Sequence, residues 1–287
     1  MQIKAFFHDD SYTLTYVVWD EATRDAIIID PVLDLDLLTW RVATEAIDEV
    51  ADFVREGSLN VRWVLDTHAH ADHLSGMAVL KERFGAPTAI GDRITEVQDV
   101  FAGVFNLDEG FARDGRQFDR LLTHGEVLRA GSLEVETIHT PGHTPACSTF
   151  RIGDALFTGD ALFMPDYGTG RCDFPRGSAE DLYESVTRRL YTLPDATRVF
   201  VGHDYMPNGR ELRFETTIGE SKERNIQLRA STPRSDFVTF RSERDRTLAP
   251  PRFILPSLQV NIRAGELPEA EPNGRRYFKM PIDLLGG

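Results

Sequence analysis

The order of elements along this chain predicts an α/β fold with helices on the outside of two β-sheets. Three observations carry that prediction. Short apolar runs of strand length recur from one end of the chain to about residue 201, two hairpin signals sit together in its middle, and stretches with helical spacing fall between them.

The elements follow in order. Residues 14–19 and 26–30 read as two strands joined by the polar turn Asp20-Glu21-Ala22-Thr23-Arg24. Over 42–56, Val42, Ala46, Ile47, Val50, Phe53 and Val54 recur at helical spacing with charges between them, so a helix is expected. Residues 61–66 form a short, mostly apolar strand that runs straight into a cluster of histidines. A helix is expected over 73–84, stopped by Gly85 and Pro87, with a short strand over 87–91. Segments 126–130 and 133–139 flank Gly131-Ser132, and 148–152 and 155–158 flank Gly153-Asp154, as two hairpins. Ser178, a favoured N-cap, opens a helix over 179–191. The strand 198–201 ends at Gly202-His203. From about Pro207 the texture changes to more arginine, with prolines at 233, 250, 251, 256, 268, 272 and 281. Residues 1–206 are therefore expected to form the main domain, and 207–287 a C-terminal extension packed on the same core, with 253–262 docked.

Composition narrows the function. The chain has 287 residues, 41% of them hydrophobic, enough for one large core. Its formal charge of -14 argues against a nucleic-acid groove, which needs basic residues tracking phosphates. An anionic substrate would approach against that mean field, so a bound cation and local arginines must reverse the sign at its site. No apolar run approaches a membrane span. Met1-Gln2-Ile3-Lys4 shows no secretory pattern, and the two cysteines, Cys147 and Cys172, form no C-x-x-C pair. A cytoplasmic protein without a disulfide framework or thiolate zinc site is expected.

Seven residues carry the chemistry: His68, His70, Asp72, His73, His143, Asp160 and His203. Imidazole and carboxylate are ligand types for a borderline or hard transition metal. His68 and His70 stand two apart, so they converge at a strand end and would diverge on a helix. Asp72 and His73 follow, where a helix is expected to begin, and can face a neighbouring point. His143 follows Thr140-Pro141-Gly142, Asp160 follows Thr158-Gly159, and His203 follows Gly202, each just beyond an expected strand. Any one of these histidines alone reads better as a cap or a carboxylate partner, and His8, His124 and His139 do read that way. The set as a whole does not.

In that order and spacing, His68-x-His70-x-Asp72-His73, His143, Asp160 and His203 resemble the metallo-β-lactamase superfamily over roughly residues 1–205. The resemblance implies an αββα sandwich: two facing sheets, helices outside, and the metal at one edge. Most members look like two-metal hydrolases. Three stretches look closer to the persulfide dioxygenases, including their bacterial β-lactamase-like subgroup of sulfide detoxification: 158–162 (Thr-Gly-Asp-Ala-Leu), 170–174 (Gly-Arg-Cys-Asp-Phe) and 202–205 (Gly-His-Asp-Tyr). Carried over, that resemblance implies one Fe(II) per chain held by His68, His143 and Asp160, with open positions for a persulfide sulfur and O2. His70, Asp72, His73 and His203 then orient ligands and waters, or form a second metal site. The persulfide is glutathione persulfide or a similar small thiol persulfide, and the products are sulfite and free thiol. The alternative is a glyoxalase II-like thioester hydrolase with two metals, Zn(II) among them. A sulfur sensor or scaffold on the same fold is a third class, against which the intact ligand set weighs. Relatives tend to form homodimers.

Other residues invite roles. Tyr205 matches a tyrosine beside the metal in the family, where its phenol reaches a bound oxygen species. Arg171 and Asp173 form a loop-fixing pair, or Arg171 contacts the carboxylates of glutathione; the pairing is the favoured reading. Cys147 and Cys172 read as small buried residues. Residues 164–169 are placed at the pocket mouth, and Lys222, Arg224, Arg229 and Arg234 at a positive rim.

Overall fold

The computed structural model describes residues 1–282. Three strands open the chain: β1 (Gln2–His8), β2 (Thr13–Trp19) and β3 (Asp25–Ile29). Two shorter ones follow, β4 (Val32–Asp36) and β5 (Arg41–Ala43), then helix α1 (Glu45–Glu56) and β6 (Asn60–Leu65). Next come β7 (Leu74–Ser75), α2 (Met77–Phe84), β8 (Thr88–Gly91), α3 (Ile94–Val104) and β9 (Arg120–Leu122). The second half contributes β10 (Val127–Ala130), β11 (Leu133–His139), β12 (Ser148–Ile152), β13 (Ala155–Phe157), α4 (Ala179–Glu184), β14 (Arg198–Phe200) and β15 (Glu215–Thr217). Helices α5 (Ile218–Arg224), α6 (Arg234–Asp245) and α7 (Ile254–Asn261) complete it.

One sheet runs β1-β2-β3-β6-β8-β9, the other β10-β11-β12-β13-β14-β15, and β5-β4-β7 form a small third sheet. Along β2 and β3 the side chains alternate between two cores, as the period of a strand requires. Tyr16, Val18, Ile27 and Ile29 face Val135, Phe150 and Phe157 of the second sheet. Val17 and Ile28 face Ile47 and Val50 of α1 and Val260 of α7. A sheet covered on both faces accounts for the near-continuous apolar strands. The expected α/β sandwich with helices outside is the fold observed.

Two helices start later than their periodicity suggested. Residues 41–43 pair with β4, so α1 begins only at Glu45. His73 does not open a helix either: Leu74 and Ser75 pair with β4, and α2 starts at Met77 after Gly76. In both places strand pairing outweighs a helical pattern. Gly85 caps α2 in the left-handed region as expected, and Ser178 Oγ accepts the Asp181 N–H at the start of α4, which continues as a π-turn to Leu190.

The sheets meet at the end that carries the histidines. Thr13 bridges His203, the Leu14 N–H donates to Gly202 O at 2.9 Å, and Tyr16 Oη donates to Val201 O at 2.7 Å. Helix α7 joins the core between the first sheet and its helices, with Leu258, Val260 and Ile262 fully buried.

Candidate metal centre

Four loops, each leaving the C-terminal end of a strand, build the site. β6 leads to His68 and His70, β11 to His143, β13 to Asp160 and β14 to His203. Close backbone approach is what brings them together. Gly159 has φ 48°, and a Cβ there would stand 2.4 Å from Thr67 Oγ1, so only glycine lets the Asp160 loop lie on the His68 loop.

Six of the seven residues converge, and His73 lies alongside, its ring centroid 4.2 Å from that of His70. Ligand-type atoms of His68, His143 and Asp160 lie within 4.8 Å of one another, and so do those of His70, Asp72 and His203. Asp160 joins the two groups: Oδ2 is 3.4 Å from His143 Nε2, and Oδ1 is 3.2 Å from His203 Nε2. A third close group, Asp30, Asp66 and His70, lies behind them.

Each imidazole is anchored by one nitrogen, so its other nitrogen points inward with a free lone pair. His143 Nδ1 donates to Arg171 O at 2.6 Å, His70 Nε2 to Asp30 Oδ1 at 3.0 Å, and His203 Nδ1 to Tyr12 O at 3.3 Å. Thr67 Oγ1 donates to Asp30 and accepts from His68 Nδ1 at 3.0 Å. His73 Nδ1 donates to Asp72 Oδ2 at 3.2 Å. The atoms left over are His68 Nε2, His70 Nδ1, His73 Nε2, His203 Nε2 and Asp160 Oδ1, all buried with no hydrogen-bond partner. Orphaned buried polar atoms are costly, and four of these five belong to residues of the two close groups, which fits bound metal.

Electrostatics point the same way. Burial pushes His68 well below the usual imidazole range, and burial together with the charge of His70 pushes His73 down to about 4. Burial also opposes charge on His70 and His203, but Asp30 outweighs it at the first, lifting it to about 9, and Asp72 and Asp160 at the second, lifting it to about 10. Burial works against ionised Asp72 and Asp160 too, yet the neighbouring imidazoles, His203 foremost, hold both carboxyls below their ordinary range. The carboxylates thus demand positive charge, and a bound cation would displace protons to supply it.

The site opens into a cleft of about 290 Å³ whose lining includes Asp72, His143, Asp160, Tyr205, Arg244 and Arg252. His68, His70 and His203 are at most 1% exposed. Tyr205 stacks on Tyr167, ring centroids 4.6 Å apart, and lies 5.6 Å from the His203 ring. Of 164–169, Tyr167 and Thr169 line the cleft. Arg171 and Asp173 form the two-bond pair, at 2.6 and 2.5 Å, and a third Arg171 bond reaches Ala249 O. Cys147 and Cys172 are free and buried.

The positive rim is elsewhere than expected. Lys222 pairs with Asp195, Arg224 with Glu220 and Glu223, and Arg234 with Glu184, and neither they nor Arg229 line the cleft. Exposed Arg244 and Arg252 do, with no carboxylate within ion-pair distance among the described residues. Three of the expected four are instead paired with acidic neighbours away from the cleft.

Several supporting residues were not visible in the sequence. Asp30 holds Thr67 and His70 from the end of β3. Asn261, fully buried at the end of α7, donates to His70 O and His73 O at 2.8 Å each and accepts from Ser75 N. Buried Arg241 pairs with Asp245, which in turn accepts the Cys172 N–H, fixing the 169–173 loop. Arg210 grips Asp204 and Asp166 together and so pins the loop that carries His203 and Tyr205. His8 bonds to Ser11 and Asp34, and His139 to Leu122 O, outside the three close groups. An aspartate following an apolar strand was the one local signal available, at Asp30.

Residues 8–203 match the model of the metallo-β-lactamase superfamily. The chain belongs to this superfamily. Along its length it is 45% identical to a probable metallo-hydrolase of Burkholderia pseudomallei, covering 99% of this chain and 100% of that protein. It is 44% identical to Glyoxylase B2 of Dictyostelium discoideum (99% and 98% covered) and 30% identical to the human mitochondrial persulfide dioxygenase ETHE1 (92% and 88%). Among solved structures, ETHE1 from Myxococcus xanthus superposes with a TM-score of 0.75 at 34% identity, covering 93% of this chain and 100% of that one. The αββα sandwich of the superfamily and a metal-binding site at its edge are thus properties of this chain. Among the described residues, no helix is long and apolar enough to cross a membrane.

Proposed function

We propose that the chain is an iron-dependent persulfide dioxygenase. R–S–SH, O2 and water become R–SH, hydrogen sulfite and a proton: the S–S bond breaks, and the sulfane sulfur gives four electrons to O2. The observation that carries this reading is the group His68, His143 and Asp160, of which His143 and Asp160 also line the cleft. Two imidazoles and one carboxylate on one side are the set that suits non-haem Fe(II) and leaves positions open to a substrate. Iron, when bound, supplies the redox change that zinc lacks. Likeness to the human and Myxococcus xanthus proteins supports the choice.

The residues of the chain do the rest. Arg171 O holds the His143 proton on Nδ1, which keeps Nε2 free as a ligand. Arg244 and Arg252 draw an anionic persulfide against the net charge of -14. Tyr205, packed between Tyr167 and His203, is set to donate its phenol proton to an oxygen atom of the reacting group, because burial keeps that phenol protonated far above its ordinary range. Protein purified without oxygen should carry one iron per chain and take up O2 only when a persulfide is supplied. Two zinc ions and no O2 uptake would end the proposal.

A specific observation favours a second reading. His70, Asp72 and His203 form their own close group, joined to the first by Asp160, as a two-metal hydrolase needs. The relatives at 44–45% identity bear the names Glyoxylase B2 and metallo-hydrolase. Zinc-dependent hydrolysis of an acyl-glutathione, lost in His70→Ala and Asp72→Ala, would establish it.

A further inference from the structure

A second cavity of about 280 Å³ adjoins the arginine-lined cleft and, like it, reaches His143. Its walls are Phe101 and Val104 of α3, Phe174 of the 169–175 loop, Leu248, and Ile254 and Leu255 of α7. Among the described residues that line it, Arg171 and Asp173 are the charged pair, joined to each other by an ion pair at 2.5 Å. His143, Ala71, Arg171, Leu248 and Pro251 line both cavities, so the partition between them is one layer of side chains thick. Arg171, which lines both, also donates to Ala249 O in the wall of the polar cleft at 2.8 Å.

The two cavities differ in polarity. One presents tyrosines, several arginines and aspartates; the other is mostly hydrocarbon, with the Arg171–Asp173 pair and His143 as its polar side chains. The dioxygenase reaction has two substrates with the same difference: an anionic thiol derivative and an apolar gas. Once the thiol derivative fills its cleft, a path through the cleft is blocked to the second substrate. Dioxygen partitions into apolar surroundings for the reason xenon does: neither makes strong hydrogen bonds with water. We propose that the cavity formed by Phe101, Val104, Phe174, Leu248, Ile254 and Leu255 is the holding and entry site for O2, delivering it beside His143 while the persulfide occupies the polar cleft. The inference rests on the dioxygenase reading above.

Val104 and Leu255 are only partly buried, so tryptophan at either position fills the cavity without displacing the core. Xenon-pressurised crystals of the iron-loaded protein report occupancy directly, and initial rates at varied O2 and varied persulfide report function. Expected results are xenon in the wild-type cavity, its loss in Leu255→Trp and in Val104→Trp, and a severalfold higher KM for O2 in both, with the KM for persulfide and the iron content unchanged. The second variant answers if the first does not fold. Absence of xenon from the wild-type cavity, or an unchanged KM for O2, overturns the inference. So does a raised KM for the persulfide alone, which would give the cavity to the organic group of the substrate. Wild-type protein that takes up no O2 at all fails the dioxygenase reading itself, and the inference falls with it.

Discussion

Ala71, Asp72, His143 and Asp160 form the floor of the cleft, backed by buried residues 66–70, 73 and 203, while residues 227–253 make much of its wall, and the two regions are held in different ways. On the floor, five imidazoles are each fixed by a hydrogen bond to a carbonyl, hydroxyl or carboxylate, and His68, His70 and His203 are essentially unexposed. On the wall, Arg244 and Arg252 are exposed and Gln227 half-buried; Arg241 alone is locked, by its buried pair with Asp245. A floor of this kind has paid its ordering cost during folding and accepts one charge type in one place. A wall of this kind adapts, so it sets which substrate enters more than what happens to it.

The largest effect should come from the floor. His143→Ala and Asp160→Ala are expected to lose bound metal and fall to background turnover, measured as metal per chain and initial rate. His70→Ala, under the single-iron reading, should keep its metal and lose about 10–100-fold in rate, as residues that orient ligands do. Equal metal loss at all three positions would erase the distinction between the two groups.

The locked part of the wall comes next. Arg241→Met leaves the Asp245 carboxylate buried without its cation, at a cost of about 3–5 kcal/mol in urea unfolding. The support beneath the floor should respond alike: Asn261→Ala strands two buried carbonyls and one N–H of the histidine loop and should cost on the order of 3 kcal/mol, with weakened metal binding. The exposed part of the wall should behave in the opposite way. Arg244→Ala or Arg252→Ala should leave stability and metal content alone and raise the persulfide KM about tenfold, the worth of one charge-assisted hydrogen bond. A change in metal content there would mean that floor and wall are not separable.

The smallest effect concerns the thiols, which belong to neither region. Burial pushes Cys147 up to about 12 and Cys172 well above its ordinary value. Both should be silent to a thiol reagent at pH 8 in the folded protein and react in guanidinium. Between the ordinary thiol range and pH 12 the unfolded chain releases a proton from Cys147 that the folded chain keeps, so stability should decline as pH rises through that window.

By itself the sequence determined the chemistry of the floor. Ligand type is a property of single residues, and a strand followed by a Thr-His, Gly-His or Gly-Asp turn is a local pattern, so His68, His143, Asp160 and His203 could be named before any fold was known. The strands at 14–19 and 26–30 were legible for the same reason, since short apolar runs bounded by a polar turn are written in neighbouring residues. Tertiary structure alone decided the rest. Asn261 reaches His70 across 191 positions, Arg241 reaches Thr169 across 72, and Asp30 reaches His70 across 40. Nothing in the neighbourhood of those residues announces their partners. The positive rim shows the limit most plainly, because which arginines stay unpaired at a cleft depends on where every carboxylate has gone. Strand pairing likewise took 41–43 and 74–75 from the helices their spacing suggested. Side-chain identity and short-range periodicity are local quantities that a chain carries before it folds, whereas burial, pairing and the polarity of a cavity come into being only when distant segments exclude water together.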